Sequence, residues 1–163
     1  MTLKIDKNIK LIISDFDGVF TDGGAYINED GTISKKINFL DVMGIYILLR
    51  AGYKFAIISG EKGKPIEYFR TKLNIEDIYQ DIREKAPVVE ELLEKYNLTK
   101  DEVAYIGDDI NDIKPMELVK YAFAPQNANY KVKQLPHIQV ISKNGGNGAI
   151  RELIDTLLEQ WKK

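Results

Sequence analysis

Short apolar runs alternate along the chain with longer stretches in which apolar and polar positions follow a helical period. An apolar run bounded by turn residues is typical of a buried strand, and a 3.6-residue period is typical of a helix. The runs that predict strands lie at residues 9–14, 53–58, 78–79, 103–106, 121–124 and 137–141. Strands alternating with helices predict an α/β fold with a Rossmann-like, doubly wound parallel sheet.

The amphipathic stretches supply the helices between these strands. The predicted helices lie at residues 41–50, 62–73, 87–96 and 116–121, with a short helix opening at 125–128 and a last helix ending near Trp161. Asp41 stands where the first helix needs an N-cap, and Gly52 stands where that helix stops. Because the chain has no repeat, low-complexity tract or linker, we expect residues 1–163 to form a single domain.

A β-hairpin is predicted directly after the first strand, where a helix would ordinarily follow. Two short β-like runs flank residues 28–31, and Asp30-Gly31 suits a tight turn. We expect this insertion either to cover a functional site or to contact another subunit. A surface hairpin with neither role is the alternative.

The composition narrows the possible chemistry. The chain has no cysteine and one histidine, His137, so thiolate ligands and cysteine nucleophiles are excluded and a histidine-based site is disfavoured. A net charge of -2 without a basic block argues against a nucleic-acid partner. No apolar run reaches the length of a membrane span, so we expect no membrane partner and a cytoplasmic location.

Two carboxylates, Asp15 and Asp17, follow the first strand directly. Residues two apart along an extended chain point the same way, so both side chains can reach one crevice. The second strand ends in Ser59-Gly60, whose hydroxyl and backbone N–H groups could hold an anion. A helix N-cap at Ser59 is the alternative interpretation.

Two further groups complete the pattern. Lys85 precedes a helix, where the helix dipole disfavours a cation, and this indicates an anion or carboxylates nearby. A solvated lysine is the alternative interpretation. The strand at 103–106 ends in Gly107-Asp108-Asp109, with Asp112 close behind. In a doubly wound sheet these strand ends converge on one ligand site. Oxygen ligands of high charge density suit Mg²⁺, and a carboxylate nucleophile beside a lysine and a hydroxyl suits phosphoryl transfer.

The order of these groups resembles that of phosphatases of the haloacid dehalogenase superfamily, along essentially the whole chain. The matching motif positions are Asp15-Phe16-Asp17-Gly18-Val19, Ser59, Lys85 and Gly107-Asp108-Asp109 with Asp112. The resemblance implies a phosphatase that works through an aspartyl-phosphate and requires Mg²⁺.

The same resemblance implies a role for each residue. Asp15 would be the nucleophile and Asp17 the general acid and base. Ser59 and Lys85 would bind the phosphoryl group, and Gly60 beside Ser59 would also contact the substrate. Mg²⁺ would be held by Asp15, Asp108 and the backbone carbonyl of Asp17. The remaining acidic residues of the last motif, Asp109 and Asp112, would support the site without touching the metal.

A narrower resemblance is to the capless 3-deoxy-octulosonate-8-phosphate phosphatases. It is carried by residues 39–45 and 145–152 and by the hairpin that stands where other members have a cap domain. In that family the hairpins build a homotetramer, and a neighbouring subunit completes each active site. The resemblance therefore implies a homotetramer here.

One departure changes the expected substrate. The usual Gly-Arg after the second motif is replaced by Gly60-Glu61-Lys62, which together with Lys72 resembles phosphatases of nine-carbon sugar acids. The resemblance therefore implies that Glu61, Lys62 and Lys72 bind the substrate, and reversing the charge should alter how the sugar acid is held. The resemblance therefore favours a nonulosonate 9-phosphate as substrate, with the eight-carbon 3-deoxy-D-manno-octulosonate 8-phosphate as the alternative.

Three other functions remain to be weighed. A signalling receiver domain also combines acidic residues, a hydroxyl and a lysine, but places its phosphorylated aspartate on a middle strand, whereas Asp-x-Asp ends the first strand here. A silent scaffold homologue finds no support, because every motif residue is present. A phosphomutase is disfavoured, because such enzymes ordinarily need a cap to exclude water.

Overall fold

A parallel sheet forms the centre of the computed structural model, which describes residues 3–159. In chain order the strands are β1 (Leu11–Ser14), β2 (Tyr26–Ile27), β3 (Ile33–Ser34), β4 (Lys54–Ile58), β5 (Asp77–Tyr79), β6 (Val103–Ile106), β7 (Tyr121–Ala124) and β8 (Ile138–Val140). Six of them form the sheet in the order β5-β4-β1-β6-β7-β8, and all its pairings are parallel. The chain adds β4 and β5 on one side of β1 and then crosses to add β6, β7 and β8 on the other, so the strand order reverses between β1 and β6. That reversal is where an open α/β sheet binds ligands.

Helices cover both faces of the sheet. They are α1 (Phe39–Arg50), α2 (Lys64–Leu73), α3 (Ala86–Tyr96), α4 (Ile113–Glu117), α5 (Tyr130–Lys133) and α6 (Ala149–Glu159), with 3-10 turns at Lys100–Glu102 and Ile110–Asp112. The first face packs α1, α2 and α6 against Ile12, Phe55 and Ile57. The second packs α3, α4 and α5 against Ile13 and Tyr105. Successive residues of a strand face opposite layers, so the continuous apolar runs arise from burial on both faces. The predicted doubly wound α/β fold is confirmed.

The predicted hairpin is present between β1 and α1. β2 and β3 pair antiparallel, and the outward side chains of Tyr26 and Ile27 are 69% and 77% exposed. Within the described residues, this hairpin is the only regular structure between β1 and α1.

Asp41 does not cap the first helix. α1 begins two residues earlier, and the side chain of Asn38 accepts the capping hydrogen bond from the N–H of Leu40 at 2.9 Å. Asp41 is instead buried and accepts hydrogen bonds from the backbone N–H groups of Gly148 and Arg151, at 3.2 and 2.9 Å. It therefore satisfies free N–H groups at the start of α6, a helix more than a hundred residues away in sequence.

Two other helix predictions were wrong. The segment 116–121 is split, since α4 ends at Glu117 and Tyr121 already belongs to β7. Residues 125–128 form a turn, and the short helix begins only at Tyr130, where the Asn129 side chain accepts from the N–H of Lys131 at 3.0 Å. The end predicted near Trp161 lies outside the described residues. No helix in the described range 3–159 is long and apolar enough to cross a bilayer.

Candidate active site

The carboxyl ends of β1 and β4 form a crevice of about 320 Å³ that contains both predicted aspartates. It is lined by Asp15, Asp17, Ser59, Gly60, Glu61, Ile82, Arg83 and Asn111. Asp15 follows β1 directly and is 6% exposed, whereas Asp17 lies nearer the mouth. Between them Phe16 points into the core and stacks on Phe20. The two carboxylates therefore share one crevice, as the spacing predicted. A larger groove of about 820 Å³ beside β8 contains no acidic residue among those that line it.

Lys85 lies fully buried beneath the crevice and bridges two carboxylates. Its Nζ lies 2.9 Å from Oδ1 of Asp15 and 2.8 Å from Oδ1 of Asp112. Burial alone would lower the pKa of Lys85, but Asp112 and then Asp15 outweigh it and raise the pKa above its ordinary value. Lys85 is therefore a permanent cation, and its position before α3 is explained by the carboxylates that it faces.

Asp112 accepts four hydrogen bonds. Its Oδ1 accepts from Lys85 and from the Tyr105 hydroxyl, at 2.8 and 2.7 Å. Its Oδ2 accepts from the backbone N–H groups of Asp108 and Asp109, at 3.0 and 3.2 Å. A carboxylate offers about four lone-pair sites, so Asp112 is saturated. It fixes Lys85 and the loop after β6, and has no lone pair left for a metal.

Asp108 faces Asp15 at the place where the strand order reverses, between β1 and β6. One carboxylate oxygen from each of Asp15, Asp108 and Asp112 lies within 4.8 Å of the others. Gly18 makes this approach possible, because a Cβ there would lie 1.9 Å from Oδ2 of Asp108 and its φ of +80° suits glycine. Burial, and then the charge of Asp112, raise the pKa of Asp108 to about 7.

The carboxylates fit a hard divalent cation. Burial, and then Asp112, raise the pKa of Asp15 well above its ordinary value although Lys85 opposes the shift. Two carboxyl groups that repel each other in a buried site are stabilised as anions by a metal between them. Of the described backbone N–H groups, none donates to the carbonyl of Asp17, which is therefore available as a third oxygen ligand. Asp15, Asp108 and this carbonyl suit Mg²⁺.

Asp17 has a partner that the sequence did not reveal. The Nζ of Lys35, just after β3, lies 2.7 Å from Oδ2 of Asp17, and the lysine side chain is only 13% exposed. The Thr21 hydroxyl makes a longer contact of 3.5 Å with Oδ1. The hairpin therefore reaches the active site of its own chain. The position of Lys35 directly after the second β-like run of the predicted hairpin was the one sign in the sequence of this contact.

Ser59 and Gly60, which follow β4, line the same crevice as the aspartates. The Ser59 side chain is almost fully buried, and its Oγ accepts from the N–H of Glu61 at 3.1 Å, so it also shapes the turn. Arg83 and Asn111 line this crevice too, and sequence reasoning missed both. Arg83 lies two residues before Lys85 in the loop that follows β5, and that proximity was the only signal.

Lys62 and Lys72 do not line this crevice. Lys62 is exposed, with its Nζ 3.7 Å from Oδ2 of Asp81. Lys72 lies on α2 beside a separate depression of about 360 Å³, together with Phe39 and Met43 of α1. Their substrate-binding roles stay predictions.

A glycine-rich loop braces the segment that carries the aspartates. The N–H of Gly146 donates to the carbonyl of Val19 at 2.9 Å. A Cβ on Gly145 would lie 1.8 Å from the carbonyl oxygen of Gly18, so only glycine allows this approach. The motif at 145–152 therefore supports the site structurally.

A doubly wound sheet with a buried lysine between aspartates, and a cluster suited to Mg²⁺ where the strand order reverses, fits an enzyme of phosphoryl transfer. The comparisons with known proteins give the family. Residues 28–153 match the haloacid dehalogenase-like hydrolases, and the chain belongs to that family.

Its relatives narrow the class. The chain is 37% identical over 153 residues to 3-deoxy-D-manno-octulosonate 8-phosphate phosphatase KdsC of Escherichia coli K12, covering 93% of this chain and 80% of that protein. A crystal structure of the corresponding Yersinia pestis phosphatase superposes with a TM-score of 0.91 at 35% identity, covering 96% of this chain and 84% of that one.

The Moraxella catarrhalis phosphatase, solved in complex with a magnesium ion, a phosphate ion and KDO, superposes with a TM-score of 0.89 at 30% identity, covering 94% of this chain and 87% of that one. The chain is a Mg²⁺-dependent phosphoric monoester hydrolase, which excludes the receiver and silent-scaffold interpretations.

Proposed function

We propose that this enzyme hydrolyses the phosphate ester of a 3-deoxy-2-keto sugar acid, with 3-deoxy-D-manno-octulosonate 8-phosphate as its substrate. The observation that carries the proposal is the buried Asp15–Lys85 pair, which shares a crevice with Asp17. The KdsC relatives, at 37% identity, support the eight-carbon substrate better than the nine-carbon substrate that Glu61 and Lys62 suggested.

In the first step Asp15 attacks phosphorus. A carboxylate oxygen of Asp15 forms a bond to phosphorus while the ester P–O bond breaks, and protonated Asp17 gives its proton to the leaving sugar oxygen. The ammonium of Lys85 stays beside Asp15 and balances charge on the phosphoryl oxygens. The hydroxyl of Ser59 and the backbone N–H of Gly60 are donors available in the same crevice.

In the second step water cleaves the aspartyl-phosphate. The carboxylate of Asp17, now without its proton, accepts one from water as the water oxygen bonds to phosphorus. The bond between phosphorus and Asp15 breaks, and the free carboxylate and phosphate are released. Mg²⁺ held by Asp15, Asp108 and the carbonyl of Asp17 would neutralise the carboxylates and the charge on the phosphoryl group.

The wall of the crevice supports an acidic substrate. Glu61 reverses the charge expected there, but Arg83 lines the same crevice. Within residues 3–159, Arg83 makes no hydrogen bond or ion pair, so its five donors are available to a ligand. Arg83 therefore offsets Glu61 and is suited to the substrate carboxylate.

We also propose a homotetramer assembled through the hairpin. Tyr26, Ile27 and Ile33 of the hairpin and Phe39 and Met43 of α1 are all more than half exposed. Neighbouring exposed apolar side chains of this size are typical of protein interfaces. Light scattering on a Tyr26→Lys/Ile27→Asp variant tests this, with loss of assembly expected and an unchanged mass contradicting it. The single domain over residues 1–163 and the cytoplasmic location stay predictions.

The substrate assignment is tested by Mg²⁺-dependent phosphate release. The panel contains the 8-phosphate of the eight-carbon acid, nine-carbon 9-phosphates, and sugar phosphates without a carboxylate. We expect the highest kcat/KM for the eight-carbon ester and no release with Asp15→Asn. A clear preference for a nine-carbon ester would return the assignment to the interpretation based on Glu61.

A further inference from the structure

Lys35 is the one cation that contacts the carboxylate of Asp17 among the described residues. It lies 18 residues beyond Asp17, directly after the second strand of the hairpin, and belongs to none of the phosphatase motifs. Its side chain is 13% exposed, and its Nζ lies 5.9 Å from the centroid of the Phe16 ring. The lysine side chain is therefore largely buried, with its charged end on the carboxylate.

This contact distinguishes the two oxygens of Asp17. Oδ2 accepts a charge-assisted hydrogen bond from Lys35 at 2.7 Å, while Oδ1 has only the 3.5 Å contact with the Thr21 hydroxyl. An oxygen held by an ammonium is poorly placed to exchange a proton with a substrate. Oδ1 is therefore the oxygen left to serve the leaving group and, afterwards, water.

We propose that Lys35 is a positioning residue for the reaction and holds the Asp17 carboxylate in the orientation that presents Oδ1 to the leaving oxygen. This inference rests on the proposed function of Asp17 as general acid and base. It gives the hairpin a role inside its own chain, in addition to any contact with another subunit. Lys35 and Asp17 are already in contact in this structure, so the pair needs little ordering during turnover.

The test uses the dependence of kcat/KM on the acidity of the leaving group. A series of substituted phenyl phosphates keeps the size of the substrate nearly constant while the pKa of the released phenol changes. The variants are Lys35→Met, which keeps the stem without the charge, Lys35→Arg, which keeps a cation, and Lys36→Met, which removes the exposed neighbouring lysine. Thermal unfolding checks that each variant is folded.

Lys35→Met should lower kcat/KM by about 10²-fold for weakly acidic phenols and by less than about threefold for the most acidic ones, because only poor leaving groups need a well-placed acid. Lys35→Arg should recover most of the loss, and Lys36→Met should match the wild type. In an Asp17→Asn background, Lys35→Met should have no further effect.

The inference would be overturned if Lys35→Met lowered kcat/KM by the same factor for every phenyl phosphate, or left it unchanged. A structural or substrate-binding role does not alter the slope of log kcat/KM against the pKa of the released phenol. A full additional loss in the Asp17→Asn background would overturn it as well. A wild-type enzyme that releases no phosphate from any ester in Mg²⁺ would overturn the proposed function itself, a result distinct from an equal loss across the series.

Discussion

Replacing Lys85 by Met should strongly destabilise the protein. The side chains of Lys85 and Asp112 are fully buried and that of Asp15 nearly so, at N–O distances of 2.8 and 2.9 Å, so the substitution leaves two buried carboxylates without their cation. Removing one partner from a buried ion pair costs about 3–5 kcal/mol. With a urea m-value of about 2 kcal/mol per molar, the unfolding midpoint should fall by about 1.5–2.5 M in EDTA at pH 8.

The loss should shrink at lower pH. Without Lys85, the pKa of Asp15 in the folded state rises further above its unfolded value, so the folded state binds more protons than the unfolded state in the range between these values. Stability of the variant therefore falls as the pH rises through that range, and the difference from wild type should be smaller at pH 5.5 than at pH 8.

Lys114→Met is the matched control for this prediction. Lys114 pairs with Glu84 at 3.4 Å, and both side chains are more than 70% exposed. An exposed pair contributes about 0–1 kcal/mol, so the midpoint should scarcely move. If the free energy of unfolding of Lys85→Met at pH 8 lay within about 1 kcal/mol of the wild-type value, the buried carboxylates would not depend on Lys85 as argued.

Two further predictions concern the metal and the substrate. The pKa of the Asp108 carboxyl group is raised to about 7, so in EDTA the protein should lose stability as the pH rises toward 8. Mg²⁺ should restore that stability. Thermal melts at pH 6 and 8 check this, and an effect of Mg²⁺ on the melting temperature that does not depend on pH would contradict it. Arg83→Gln should raise KM for the sugar-acid phosphate by about tenfold or more, the equivalent of one charge-assisted hydrogen bond, with little change in KM for phenyl phosphate. Arg50→Gln, at an exposed position on α1, serves as its control, and equal effects on both substrates would refute a contact with the carboxylate.

The sequence predicted the sheet and the positions of its strand ends, because burial on both faces leaves a continuous apolar run that stops where the strand stops. Asp15, Asp17 and Ser59 line one crevice for this reason, and Lys85 lies beneath it. The prediction for the helix at 125–128 was wrong because local turn residues fit both a turn and a helix start.

Residues whose roles depend on contacts distant in sequence could not be predicted in the same way. Asp41 precedes apolar residues spaced at a helical period and so has the local pattern of an N-cap. Its hydrogen-bond partners, however, lie 107 and 110 residues away at the start of α6. Lys35 meets Asp17 only because the hairpin folds back. Arg83 reaches the crevice through the loop after β5. None of these contacts leaves a periodic or motif signal in a single sequence.

The central claim is that Asp15 carries the phosphoryl group during turnover. The most direct measurement is intact mass and peptide mapping of the Asp17→Asn variant, acid-quenched after reaction with a phenyl phosphate whose leaving group is strongly acidic. Such a substrate needs no general acid to form the intermediate, whereas its hydrolysis needs the missing base, so the intermediate should accumulate. We predict one added phosphoryl group on Asp15, absent from the Asp15→Asn/Asp17→Asn double variant. Phosphate release without any adduct, or an adduct on another residue, would contradict the account.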